Sequence, residues 1–120
     1  MKAKTILVVD DDADIREAMK VVLKREGYEV VTATNGQEAL DVLRQIARPN
    51  LILLDLMMPV MDGWEFTLAM HMDPNLTGIP LLLVTAYAER AVGVETGDDG
   101  MITKPIDFER LILLVKKRCA

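Results

Sequence analysis

The sequence predicts an α/β fold built on a parallel sheet, and two regularities of the 120-residue chain support this class. Short, nearly continuous apolar runs recur along the chain, which is typical of strands that are covered on both faces. Between these runs the apolar residues follow the spacing of amphipathic helices. The alternation of the two patterns indicates βαβ units, whose right-handed crossovers give a doubly wound parallel sheet.

Five segments of the chain are predicted as strands. The first, third and fourth are almost wholly apolar, the second is weaker and more typical of an edge strand, and the fifth is short. In chain order they are residues 5–9, 29–33, 51–54, 81–84 and 101–103. We expect them in the flavodoxin-like order 2-1-3-4-5.

Five helices are expected between and after these strands. An apolar stripe defines the first, and either Asp12 or Asp14 can cap its start. The second is expected to turn four apolar residues inward: Ala39, Leu40, Leu43 and Ile46. The other three are predicted at about 63–73, 88–95 and 108–118. Asp62 and Asp107 precede the third and fifth helices as candidate caps.

Composition excludes several classes of protein. A hydrophobic fraction of 51% is too high for a disordered segment. A formal net charge of −5 leaves no overall basic surface for direct nucleic-acid binding. The first apolar run is too short for a signal peptide or a membrane span. The single cysteine, Cys119, fits a reducing compartment, and we expect it in a frayed C-terminal end. One cytoplasmic domain, residues 1–120, without a membrane partner is therefore expected.

Polar residues follow four of the five predicted strands. In chain order they are Asp10, Asp11 and Asp12, then Asp55, then Thr85 with the small Ala86, and finally Lys104 with Pro105. Because ligands of such sheets bind beyond the carboxyl ends of the strands, we expect these groups to converge. Gathered carboxylates need a neutralising cation, and oxygen ligands without Cys or His favour Mg²⁺. A carboxylate can also act as a nucleophile, so the residues indicate Mg²⁺-assisted phosphoryl transfer to an aspartate.

Four segments of the chain resemble the receiver domains of bacterial two-component response regulators, the CheY-like family. They are ILVVDDD at 6–12, LLDLMMPVMDG at 53–63, VTA at 84–86 and TKP at 103–105. Each motif alone is weak, but they occur in the family's order, each at the end of a predicted strand. The resemblance covers essentially the whole chain.

The resemblance implies the chemistry of the site. Asp55 corresponds to the aspartate that accepts a phosphoryl group from the phosphohistidine of a sensor histidine kinase or a histidine phosphotransfer protein. Asp11 corresponds to the direct Mg²⁺ ligand and Asp10 to its partner through water, with Asp55 and the backbone carbonyl of Met57 completing the metal set. Lys104 corresponds to the lysine that contacts the phosphoryl group.

The remaining family positions concern signalling. Thr85 corresponds to the switch hydroxyl, and the backbones of Met57 and Ala86 to phosphoryl-binding groups. The Lys104–Pro105 peptide is expected to be cis. The output implied is a changed surface for an unknown downstream protein. We expect no enzyme in the ordinary sense, since only self-phosphorylation and slow dephosphorylation would be catalysed.

One residue and one spacing within the chain depart from the family pattern. Met101 stands where the family usually has an aromatic switch residue. Thr85 and Lys104 are 19 positions apart, shorter than the family spacing by about one helical turn, ~3.6 residues, so the fourth helix is expected to be short. Bulky Met57 and Tyr87 flank the expected path of an attacking water, which predicts slow loss of the phosphoryl group.

Several alternatives stay open on the sequence alone. The chain could be a receiver-fold docking module that signals without phosphorylation. A phosphatase of the haloacid dehalogenase type fits less well, because Asp14 stands where its motif requires Thr or Val.

Leu113, with Leu114 beside it, is expected to point away from the buried face of the fifth helix, which suggests a partner or homodimer surface with the fourth helix and fifth strand. We expect a receiver without an output domain after the fifth helix, either stand-alone or excised from a longer regulator.

Overall fold

A five-stranded parallel sheet forms the centre of the computed structural model, which describes residues 3–86 and 100–119. The strand order is β2-β1-β3-β4-β5, as predicted. The strands are β1 Thr5–Val9, β2 Glu29–Ala33, β3 Leu51–Leu54, β4 Leu81–Thr85 and β5 Met101–Thr103. Val9 pairs with both Ala33 and Leu54, so the carboxyl ends of the three strands β2, β1 and β3 finish level. β2 and β5 are the edge strands, which explains why β2 is the least apolar of the longer strands.

Four helices lie in the described part of the chain: α1 Ala13–Arg25, α2 Gly36–Leu43, α3 Gly63–Met72 and α4 Phe108–Arg118. The helix predicted at 88–95 lies outside the described residues, so the helix predicted as the fifth is α4. No helix in the part of the chain that the structure describes combines the length and apolarity that crossing a bilayer requires.

The sheet divides the core into two clusters, because successive strand residues point to opposite faces. One cluster contains Leu7, Ile52 and Leu83 from the strands and packs against α2 and α3 through residues such as Leu40 and Phe66. The other is formed by alternate strand residues with buried residues of α1 and α4: Ile6, Val8, Leu53, Val84, Met19, Leu23, Leu111 and Val115. Both faces of the sheet are thus covered, as the apolar strands require.

Aspartate and asparagine caps fix where the helices begin. Asp12, rather than Asp14, is the N-cap of α1, and its side chain accepts hydrogen bonds from the first-turn backbone. Asn35 caps α2, and Asp107 caps α4. Asp62 forms a capping box with Glu65 at the start of α3. Each cap satisfies backbone N–H groups that have no partner within their helix.

Three expectations about the helices are wrong. α2 ends at Leu43, because the Gln45 N–H bonds to the Val42 carbonyl in a tighter turn, and Ile46 lies beyond the helix and is half-buried. Cys119 is not frayed: it is the C-cap of α4 and is only 6% exposed. Leu114 is also buried, whereas Leu113 is 69% exposed as expected.

Close packing at Gly63 predicts a large effect from adding one methyl group. An added Cβ would lie 2.7 Å from the Asp55 carbonyl oxygen and 2.8 Å from the Leu56 Cα, and both are backbone atoms that cannot easily move aside. We expect Gly63→Ala to lower the free energy of unfolding by about 2 kcal/mol, measured by urea denaturation. Leu68→Ala, in the same helix at a side chain that is 61% exposed, is the control and should change the free energy of unfolding little. Equal stability of Gly63→Ala and the wild type would contradict the packing.

Candidate functional site

Three carboxylates gather at the carboxyl end of the sheet. One oxygen from each of Asp10, Asp11 and Asp55 lies within 4.8 Å of the others. Asp10 is fully buried and Asp55 is 6% exposed, while Asp11 faces solvent. The sequence argument predicted this convergence, and the structure brings the three residues together.

The strand ends hold two of these residues side by side. Asp10 follows β1, and its N–H donates to the Ala33 carbonyl of β2 at 3.1 Å. Asp55 follows β3, and its N–H donates to the Val9 carbonyl of β1 at 3.0 Å. Each bond continues the pairing of the parallel strands by one residue, so the sheet itself fixes the backbone of both acids.

Lys104 follows the edge strand β5, and its side chain reaches into this cluster. Its Nζ donates to Asp10 Oδ2 at 2.9 Å and to Asp55 Oδ2 at 3.1 Å. Its backbone N–H donates to the Thr85 carbonyl at 2.9 Å, which ties the end of β5 to the end of β4. The Lys104–Pro105 peptide is cis, as expected from the resemblance.

Burial and pairing shift the pKa values of this cluster. Burial raises the pKa of Asp10, although hydrogen bonds from Lys104 and from the Asp12 N–H oppose the shift. Burial lowers the pKa of Lys104, but its hydrogen bond to Asp10 and the charges of Asp10 and Asp55 outweigh this, so its pKa is raised. The ammonium group therefore stays charged at neutral pH and neutralises part of the acidic cluster.

The structure describes four other predicted site residues: Met57, Thr85, Ala86 and Met101. Thr85 is the buried last residue of β4, and Ala86 follows it at the surface. The Met57 N–H lies 3.4 Å from Asp55 Oδ1, and the Met57 side chain is 38% exposed. Met101 begins β5 opposite Leu83, is half-buried, and packs on the core cluster that faces α2 and α3. Tyr87 lies outside the described residues.

Two features, one at the site and one in the loop between β3 and α3, were not predicted from the sequence. Arg16 in α1 donates from Nη1 to the backbone carbonyl of Asp10 at 2.8 Å. Val60, in the loop between β3 and α3, has a φ of 69°, which is unfavourable for a β-branched residue. The only signal for Arg16 is its place four residues after the capping Asp12, and no sequence signal marks Val60.

The donor set fits a hard divalent cation. The three groups that lie within reach of one point offer carboxylate oxygens, and no His or Cys belongs to this cluster. Among the described residues, the Lys104 ammonium group pairs with Asp10 and Asp55, and the Asp11 carboxylate lies within reach of both acids, so the carboxylates outnumber the ammonium group. Such an excess of negative charge at a partly open site can hold a hard divalent cation, which binds through carboxylate oxygens.

Comparisons with known proteins agree on one family. The model of the response regulator receiver domain matches residues 6–116. The phosphate regulon transcriptional regulatory protein PhoB of Pseudomonas aeruginosa is 40% identical over 119 residues, which cover 97% of this chain and 52% of PhoB. The DNA-binding response regulator MtrA of Mycobacterium tuberculosis is 37% identical over 116 residues, 94% of this chain and 49% of MtrA. The chain spans about half the length of the curated relatives it matches.

Solved structures show the same likeness. The chemotaxis response regulator CheY4 of Vibrio cholerae has a TM-score of 0.85 and 34% identity, covering 98% of this chain and 99% of that one. The response regulator TrrA of Thermotoga maritima, solved in complex with Mg²⁺–BeF, has a TM-score of 0.82 and 36% identity, covering 96% and 98%.

The ion pairs of Lys104 predict a stability difference that depends on pH. In EDTA, Lys104→Met should lower the free energy of unfolding by about 3 kcal/mol near neutral pH, because two buried carboxylates lose their partner. The pKa of Lys104 is raised above its ordinary value of 10.5 in the folded chain. The stabilisation that its positive charge provides is therefore fully present below pH 10.5 and is lost as the pH rises through the raised pKa.

The difference between wild type and Lys104→Met should therefore shrink at strongly alkaline pH, as measured by urea denaturation. Taking the difference cancels other alkaline titrations, such as those of Tyr28 and Cys119. Lys24→Met removes an exposed lysine of α1 and should show neither effect. A difference that stays constant through the alkaline range would contradict the assignment.

Proposed function

The chain belongs to the response regulator receiver domains of two-component signalling, and we propose that it is a phosphoacceptor whose acceptor residue is Asp55. The observation that carries the proposal is the position of the Asp55 carboxylate: nearly buried, 3.1 Å from the Lys104 ammonium and within the acidic cluster. In the proposal, the phosphoryl group comes from the phosphohistidine of a sensor histidine kinase or a histidine phosphotransfer protein.

Transfer is proposed to be a direct displacement at phosphorus. An Asp55 carboxylate oxygen forms the new P–O bond while the P–N bond to the donor imidazole breaks, and the imidazole leaves with the electron pair. Lys104, already beside Asp55, donates toward the phosphoryl oxygens and offsets their charge. The backbone N–H groups of Met57 and Ala86 are proposed as further donors to those oxygens.

Magnesium is the proposed cofactor. Asp10, Asp11, Asp55 and the backbone carbonyl of Met57 would hold the ion, which when bound supplies neutralisation of the charge on the transferred group. Its support is the all-oxygen donor set and the related TrrA structure, which contains Mg²⁺–BeF.

A groove beside the site is the proposed seat of the phosphodonor protein. It has a volume of about 320 Å³ and runs between α1 and the segment that joins β5 to α4. Apolar residues line most of it: Ile15, Ala18, Pro105, Ile106 and Phe108. Lys104 borders the same groove, so a protein seated there would be adjacent to Asp55. A small donor such as acetyl phosphate does not need this surface.

The proposed output is a changed protein-interaction surface rather than a released product. Thr85 and Met101 are the proposed switch positions, and exposed Leu113 on α4 is a proposed contact for a downstream protein or a second copy of the chain. PhoB and MtrA are named as regulators that act on transcription or bind DNA, and by analogy this domain would control such an output without itself binding nucleic acid. We propose a cytoplasmic location for it.

No described residue favours the alternative of a docking module that signals without phosphorylation. The five positions that the family fills at the strand ends all carry the expected residue types, namely Asp10, Asp11, Asp55, Thr85 and Lys104. The proposal therefore keeps phosphorylation as the signal.

Phosphorylation of Asp55 is tested by intact-protein mass after incubation with Mg²⁺ and acetyl phosphate. The wild type should gain one phosphoryl mass, and EDTA should abolish the gain. Asp55→Ala should gain none, because the acceptor oxygen is absent. Asp41→Ala, which removes an exposed aspartate of α2, is the matched control and should behave as the wild type does. A full gain in Asp55→Ala, or none in the wild type, would refute the proposal.

The side chain of Met57 predicts a slow loss of the phosphoryl group. Met57 lies two residues after Asp55 and is bulky and apolar, so it neither orients a water nor leaves it a free path. Met57→Asn should hydrolyse its phosphoryl group several-fold faster, measured as the decay of phosphorylated mass after the donor is removed. Val60→Asn places the same amide at an exposed position of the same loop and should leave the decay unchanged. Equal decay of Met57→Asn and wild type would rule out this role.

A further inference from the structure

Arg16 makes a contact with the acidic turn that the proposed reaction does not use. The turn consists of residues 10–12, between β1 and α1. Arg16 Nη1 donates to the backbone carbonyl of Asp10 at 2.8 Å, and its own N–H donates to the Asp12 carbonyl at 2.9 Å. Arg16 is half-buried, although it carries a permanent charge. The bond to Asp12 is the first backbone hydrogen bond of α1 and does not depend on the side chain, so it is the guanidinium that holds the start of the turn.

The Asp10 carbonyl needs this donor because the neighbouring strand has ended. The last pair of the β1–β2 ladder is Val9 with Ala33, and Asp10 lies one residue beyond it. The Asp10 N–H still reaches the Ala33 carbonyl, but β2 supplies no further residue to pair with the Asp10 carbonyl. Arg16 takes the place of that missing donor, and a charged donor makes a stronger hydrogen bond than a neutral one.

We propose that Arg16 is a positioning residue that fixes the turn of residues 10–12 so that the carboxylates of Asp10 and Asp11 are held ready for Mg²⁺. This inference rests on the proposed function, because it concerns the metal of the same site. The Asp10 carboxylate is held from two other directions, since its Oδ2 accepts from Lys104 and its Oδ1 from the Asp12 N–H. Arg16 completes the set by holding the main chain.

Two effects of Arg16 on Mg²⁺ affinity have opposite signs. Its positive charge repels the ion, so removing it by itself would strengthen binding. Its hydrogen bond orders the turn, so removing it by itself would weaken binding. The observed bond goes to a main-chain carbonyl and not to a carboxylate oxygen, so Arg16 does not compete with the ion for its ligands. Loss of an outer partner of metal ligands typically lowers metal affinity by about 10- to 100-fold, and we expect this effect to dominate.

Calorimetric titration of the metal-free full chain with Mg²⁺ alone tests whether removing Arg16 weakens or strengthens Mg²⁺ binding. Arg16→Met should weaken Mg²⁺ binding by about 10-fold, and Arg16→Lys should recover part of the loss because it retains a charged donor. Arg25→Met makes the same substitution at the exposed far end of α1 and should bind as the wild type does. Urea denaturation in EDTA shows whether each variant is folded; if Arg16→Met is not, the Arg16→Lys titration decides, and weaker binding than wild type is the expected result.

Phosphorylation by acetyl phosphate at varied Mg²⁺ gives a second readout. A positioning role predicts that the Mg²⁺ concentration for half-maximal rate rises by the same factor as the dissociation constant, while the rate at saturating Mg²⁺ stays near wild type. A rate that falls equally at every Mg²⁺ concentration would overturn the inference, as would unchanged or tighter Mg²⁺ binding by the Arg16 variants. If the wild type itself binds no Mg²⁺, the proposed function fails too; if the wild type binds and the variants match it, only the role of Arg16 fails.

Discussion

The balance of charge at the carboxyl end of the sheet is the constraint on which the rest of the structure depends. Two nearly buried carboxylates, Asp10 and Asp55, share the ammonium group of Lys104, and the exposed carboxylate of Asp11 lies within reach. Burying an unpaired charge is far more costly than burying a paired one, so the fold must deliver the lysine to the acids. Among the described residues, the three carboxylates still outnumber Lys104 and the nearby Arg16, so the charge of the cluster remains negative. The same arrangement therefore stabilises the fold around the acidic cluster and leaves the cluster able to attract a divalent cation.

The scaffold meets this constraint with main-chain bonds more than with side chains. Asp10 and Asp55 are each fixed by one further rung of the parallel ladder, and Lys104 is fixed by its bond to the Thr85 carbonyl. The loop between Leu56 and Gly63 is closed by a hydrogen bond from the Gly63 N–H to the Leu56 carbonyl. The two backbones are so close at this point that residue 63 has no room for a side chain. Side chains are placed most precisely when rigid elements carry them, and here the sheet fixes the backbone of all three residues.

Much of the fold and the acidic cluster could be predicted because both follow from periodicity and topology. Apolar runs located the strands, and the rule for parallel sheets placed Asp10, Asp55 and Lys104 at one edge. Contacts made by single side chains could not be predicted in this way. The reach of Arg16 back to Asp10 has no periodic signature, and the burial of Leu114 depends on how α4 is rotated against the sheet. Cys119 is buried because α4 carries it onto the core cluster that faces α1, which composition near a chain end does not reveal.

The ion pairs of Lys104 also join parts of the chain that are far apart in sequence. Lys104 and Asp10 are separated by 94 positions, and Lys104 and Asp55 by 49. β5 is an edge strand of three residues and pairs only with β4. Its few backbone hydrogen bonds to β4 therefore attach it only weakly to the sheet. The ion pairs of Lys104 with Asp10 and Asp55 therefore attach the last strand of the sheet to the ends of β1 and β3. A chain in which either Asp10 or Lys104 has yet to reach its folded position therefore lacks the assembled cluster of Asp10, Asp55 and Lys104.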